Sequence, residues 1–123
     1  FNLFRDTRGQ FTDLFETCAS NGWRRIVLAG AGEMAEIAIM CMDARSFEFL
    51  GFVDRNFADA AFAGFPINGN IVDFGNVDAV IIADLRDPQG TYEVIVGDFH
   101  ADRILFPPML NVTPVPSAKR GGS

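Results

Sequence analysis

Scarcity shapes the first reading of this chain. It has one histidine, one tyrosine and two cysteines, and its single lysine, Lys119, stands near the end. One histidine, His100, leaves no Ser/His/Asp or Cys/His nucleophile arrangement to assemble, and no Cys/His set has metal-ligand spacing. Tyr92 and Lys119 lie too far apart for the closely spaced Tyr/Lys pair of short-chain dehydrogenases. Basic residues are few: 10 against 16 acidic ones, a net charge of −6. That balance argues against direct binding to nucleic acid or to an anionic membrane, since both need a basic surface. No apolar run reaches membrane-span length and no signal-peptide pattern opens the chain. Cys18 and Cys41 each sit in a helical pattern among apolar neighbours, so two buried thiols are expected rather than a disulfide, with a cytoplasmic setting.

What is present is an apolar, phenylalanine-rich chain of 123 residues, 49% hydrophobic with 13 Phe. That suits one packed globular domain rather than a disordered one, and is short for an enzyme with separate cofactor and substrate lobes. The chain opens on Phe1 rather than Met and ends in Gly-Gly-Ser, as expected of a piece of something longer. Three regions follow: residues 1–22 with an amphipathic helix, a domain over 23–110, and a disordered or tag-like tail over 111–123. In the first, Phe11, Leu14, Phe15 and Cys18 recur at helical spacing and Asn21-Gly22 reads as a left-handed C-cap. Phe1, Leu3 and Phe4 need cover from this domain or a neighbour.

The organising stretch is Arg24–Arg55. Ile26–Ala29 is apolar without alternation, as a parallel strand buried on both faces should be. Gly30, Gly32 and Ala35 fit the G-x-G-x-x-G/A spacing of dinucleotide-binding sheets. Gly30 would allow a tight turn, Gly32 close approach to a pyrophosphate, and Ala35 close packing of helix on strand. The helix Glu33–Asp43 is apolar almost all round and asks for a second covering layer, from the N-terminal helix or from a second copy of the chain through its apolar flank. Phe47–Val53 is a second strand. Asp54 closes it, at the distance expected of an acid that takes ribose hydroxyls. Pro66 predicts a loop leading to a short edge strand. Ile71–Val77 reads as weak helix or loop, Ala79–Ala83 as a buried strand, Tyr92–Phe99 as a helix and Ile104–Phe106 as a fifth strand.

The pattern predicts an α/β, Rossmann-like three-layer domain with an open parallel sheet of about five strands, order 3-2-1-4-5. Its switch point brings Gly30, Ala31, Gly32, Glu33, Met34, Asp54, Arg55, Asp84 and Arg86 around one crevice. Asp54 favours NAD, or a related nucleotide with an unphosphorylated ribose, over NADP; Arg55 beside it weakens that preference. The alternative for Asp54 is a strand-end aspartate capping the next turn. Glu33 would oppose a pyrophosphate unless it points to solvent, or unless the ligand is not a standard dinucleotide. Asp84 and Asp87 read as solvated loop acids, and Arg86 as a residue able to reach a phosphate or carboxylate.

Arg24–Ala38, the later Phe49–Asn56, Phe62–Ile67 and Asp78–Asp84 resemble the small nucleotide-binding (CoA-binding-like) Rossmann module of bacterial polysaccharide-biosynthesis proteins. They are also similar to the effector domains that follow a winged helix in some regulators. The resemblance covers about residues 24–85 and implies that Gly30, Gly32 and Asp54 contact a nucleotide. Sugar acyltransferases of this kind carry Gly-Gly-His where this chain has Gly32-Glu33-Met34. The expected function is therefore a nucleotide-binding sensory or cofactor domain, without activity as an isolated chain, serving a parent protein with a further domain. Two alternatives remain: the cofactor half of a nucleotide-sugar enzyme, and a structural or oligomerisation module that has lost its ligand.

Overall fold

In the computed structural model, which describes residues 3–115, the apolar runs become the middle of a sheet. Strand β1 is Arg25–Ala29, and Ile26 to Ala29 are at most 1% exposed. It pairs in parallel with β2 (Glu48–Val53) on one side and with a strand at Ala79–Ile82 on the other. Ile26, Leu28, Ala79 and Ile81 face one apolar cluster, while Val27, Ala29, Val80 and Ile82 face another. Period-2 alternation between two buried faces is why these strands read as unbroken hydrophobic runs.

The first face is covered by two helices. Helix α1 (Leu3–Ser20) turns Thr7, Phe11, Phe15 and Cys18 inward, and Phe15 meets the Phe47 ring at 5.3 Å between centroids. It ends as its sequence suggests: Gly22 takes φ 74°, with Trp23 N donating to Cys18 O at 2.9 Å and Gly22 N to Ala19 O at 3.1 Å, a Schellman closure. Helix α2 (Glu33–Cys41) packs against α1. The covering layer that apolar α2 needs thus comes from within the chain, although Met40 stays 60% exposed. Side-chain cover over Phe1, Leu3 and Phe4 lies outside what is described.

Among the described residues six strands form the sheet, where about five were expected. In chain order β3 is Ala61–Phe62, β4 Phe65–Asn68, β5 Ala79–Ile82 and β6 Ile104–Leu105, arranged β3-β4-β2-β1-β5-β6. The additional strand β3 runs antiparallel to β4; all other pairings are parallel. Ala63 and Gly64 both take positive φ, 53° and 85°, making a two-residue turn with the twist hairpins need. Pro66 therefore lies inside a paired strand and not in a loop. The weakly patterned stretch after it is a 3₁₀ turn, Ile71–Phe74.

Helix α3 (Pro88–Val96) covers the second face with Tyr92 and Ile95, both at most 2% exposed. Phe99 falls beyond its end. Asn111–Val115, expected as tail, is instead tied down: Val112 is 7% exposed, Gln89 and Thr113 exchange two hydrogen bonds, and Val115 N donates to the Tyr92 hydroxyl at 3.0 Å. Residues 116–123, including Lys119, lie outside the described part. Among the described residues no helix is long and apolar enough to cross a membrane.

One irregularity sets up the site. β1 and β2 slip register between Ile26 and Val27, which face Phe49 and Gly51, so Leu50 is an extra residue in β2. The bulge lets Phe49 and Phe52, three apart, face the same layer with rings 5.2 Å apart. Gly51 carries φ 143°, and a Cβ there would collide with the Pro66 carbonyl oxygen and the Phe74 ring. Because a one-residue slip reverses every later side chain, this bulge decides which way Asp54 points.

Candidate functional site

Two parallel strands with helices leaving in opposite directions open a crevice at their carboxyl ends, and here it lies between β1 and β5. Gly30 follows β1. Its φ of 107° and the 3.0 Å separation a Cβ would have from Ala83 O and Asp84 Cα leave no room for a side chain. The turn can therefore press against the end of β5. Gly32 differs: φ is 176°, open to any residue, and a Cβ would meet nothing within 4 Å. Neither conformation nor packing demands glycine there. What a side chain would occupy is the cavity itself.

That cavity has about 320 Å³ and is lined by Gly30, Ala31, Gly32, Glu33 and Met34 on one side and by Asp54, Asp84, Leu85 and Arg86 on the others. A second, of about 550 Å³, adjoins it and shares Gly30, Asp54, Asp84 and Arg86, continuing along Arg55, Asn56 and the face of α3 to Val94. Every expected site residue lines one or both; only Arg55 is confined to the larger.

Asp54 sits where the two cavities meet. Its side chain is 6% exposed. Oδ2 accepts the Ala31 amide at 3.0 Å and Oδ1 the Asn56 amide at 2.9 Å. It therefore caps the turn after β2, the alternative the sequence offered for it, and it also holds the glycine turn after β1, which the sequence did not foretell. Arg86 reaches over it with a nitrogen 3.8 Å from Oδ2, but its side chain is 66% exposed, so the pair is a loose, solvent-screened one. Arg55 turns elsewhere. Its guanidinium donates to Gly69 O at 3.1 Å and to Asn70 Oδ1 at 2.8 Å, bracing that turn.

The two helix N-termini at the crevice differ. α3 is closed by its own sequence: Asp87 Oδ1 accepts from Gly90 N at 3.1 Å and Pro88 opens the first turn, which is standard capping chemistry. Asp84 accepts from Arg86 N at 2.8 Å and from the Thr91 hydroxyl at 2.7 Å. The two acids read as solvated are thus bracing groups, and Thr91, Gly90 and Val94 join the cavity walls unannounced. The Asp-Pro-x-Gly signal of α3 was there to find. α2 has no side-chain cap at Gly32, and Glu33 is exposed.

Compared with family models, curated proteins and solved structures, the chain matches none. His100 lies far from the crevice, at the amino ends of β1 and β5, lining a separate cavity with Arg25, Asp78 and Arg103.

Proposed function

We propose that the chain is a Rossmann-like nucleotide-binding domain that holds a ribose on Asp54 and does not itself turn the ligand over. The observation carrying this reading is a nearly buried carboxylate at the carboxyl end of β2, placed at the junction of two open cavities beside a glycine turn. Vicinal ribose hydroxyls are donors, and a carboxylate oriented by backbone amides is their natural acceptor. The five parallel strands, β4-β2-β1-β5-β6, with helices on both faces, support the Rossmann comparison. NAD or a related nucleotide is the cofactor the sequence suggests, and a sensory or cofactor role within a larger protein of the bacterial polysaccharide-biosynthesis or regulator type is the setting its motifs resemble.

Thermal unfolding with NAD(H), NADP(H), CoA, UDP-sugars and free nucleosides tests the proposal. A ligand at a hundred times its dissociation constant adds about 2.7 kcal/mol of stability. Asp54→Asn should abolish the shift. No shift with any member of the panel would end the reading.

A further inference from the structure

Resting on the placement of a ribose on Asp54 in that reading, the charges around the crevice narrow the ligand class and turn it away from NAD. We propose that the site takes a nucleoside whose 5′ carbon carries no phosphate, a neutral or cationic compound.

A diphosphate on a Rossmann sheet sits at the N-terminus of the helix after the glycine turn, drawn by free amides and the helix dipole. In this chain the start of that helix is uncapped but is already surrounded by carboxylates. The Ala31 amide, the last before the Gly32 cap, is taken by Asp54 Oδ2 at 3.0 Å. Glu33 and Glu36 both lie in the first turn of α2, and both are exposed. Two carboxylates thus stand on the positive end of the dipole, with a third bonded to the turn just before it. Around the two cavities the count runs the same way: Glu33, Asp54, Asp84, Asp87 and Glu93 against Arg55 and Arg86, five to two. Of the two guanidiniums, that of Arg55 is spent on Gly69 and Asn70. Each phosphate would add charge of the sign already in excess.

The donors and apolar faces a nucleoside offers do fit. Asp54 can accept ribose hydroxyls, and an open-space Cβ position at Gly32 marks room beside it. Leu85, 62% exposed on the smaller cavity, and Val94, 46% exposed on the larger, give a base an apolar surface. A cationic 5′ substituent, such as the sulfonium of S-adenosylmethionine, would gain from the same acids that repel a phosphate.

Calorimetric titration of matched pairs decides it: adenosine, guanosine, uridine and cytidine, each against its own 5′-diphosphate, with S-adenosylmethionine and NAD alongside. At least one unphosphorylated nucleoside should bind tenfold or more tighter than its diphosphate, with the gap shrinking as added salt screens the repulsion. Glu36→Gln, an exposed position in the first turn of α2 that lines neither cavity, should tighten the diphosphate and leave the neutral nucleoside unchanged. A diphosphate or NAD binding as tightly as the parent nucleoside overturns the inference while leaving the nucleotide-binding reading in place. No binding by any probe removes both.

Discussion

Asp54 reaches from the end of β2 to the turn after β1, its Oδ2 lying 3.0 Å from the amide nitrogen of Ala31. One carboxylate thereby ties together the ends of the two central strands and faces both halves of the crevice. Removing it leaves the half-buried Ala31 amide and the exposed Asn56 amide without their acceptor. Asp54→Ala is expected to cost about 1–3 kcal/mol, read from the urea midpoint. Asp54→Asn keeps an acceptor oxygen and should lose less. A neutral result for the alanine variant would mean the bond contributes nothing to the fold.

The two turn glycines should separate cleanly. Gly30→Ala forces a side chain into φ 107° and against Ala83 and Asp84 at 3.0 Å, a strain of about 1–3 kcal/mol. Gly32→Val places its side chain in an extended residue with open space. Its stability should stay within about 0.5 kcal/mol of the parent, while ligand binding is lost. Equal destabilisation by both variants would contradict this division between a glycine the fold requires and one a ligand requires.

How much of this was legible depended on whether the local pattern carried the information. β1 and β5 were plain because burial on both faces leaves only apolar residues, and Asn21-Gly22 was plain because left-handed caps favour those two. The β2 bulge was not. Phe49-Leu50-Gly51-Phe52-Val53 is apolar on both faces, so no alternation exists for an inserted residue to break, and the collision that requires Gly51 comes from Pro66, far along the chain. The β3–β4 hairpin turns on Ala63-Gly64, without the Asn-Gly or Asp-Gly pair that announces such turns. Within the crevice, residue spacing pointed to Gly30 and Asp54. It said nothing of Thr91 or Val94, which arrive only through the packing of α3.

Cys18 and Cys41 are free and differ in exposure, buried and half-buried. Burial pushes the Cys18 thiol up to about 11 from 9.0. Between those values the unfolded chain ionises and the folded one does not. Stability should therefore fall as pH rises through that window, and Cys18→Ala should blunt the fall. In native protein at neutral pH a thiol reagent should label Cys41 first, with Cys18 reacting only on unfolding. Rapid native labelling at Cys18 would show that α1 opens readily.

At the other end of the sheet, Asp78 Oδ2 accepts the Arg24 and Arg25 amides at 2.8 and 2.9 Å. The Arg25 bond above all holds its carboxyl below the ordinary 3.8, against a smaller opposing effect of burial. A lowered folded value means that the unfolded chain takes up the proton first as pH drops. Its contribution is present above that ordinary value and is lost as pH falls below it. Urea unfolding from about pH 5 to pH 3 should show a shallower decline for Asp78→Asn than for the parent. Parallel curves would assign acid lability to other carboxylates.

The segment after Leu110 is held by contacts its Pro-rich composition hides. Gln89 pairs with the Thr113 backbone on both sides, accepting its amide at 2.7 Å and donating to its carbonyl at 3.1 Å, while Val112 is 7% exposed. Val112→Ala removes two methyl groups from a buried position, about 1.5 kcal/mol at the usual cost per buried carbon. Gln89→Ala gives up both hydrogen bonds at an exposed site, about 1 kcal/mol. The segment clamps α3, which forms one wall of the larger cavity through Gly90, Thr91 and Val94, so both variants should also weaken ligand binding. If neither moves the urea midpoint, residues 111–115 ride on the domain without stabilising it, and α3 holds its place through Tyr92 and Ile95 alone.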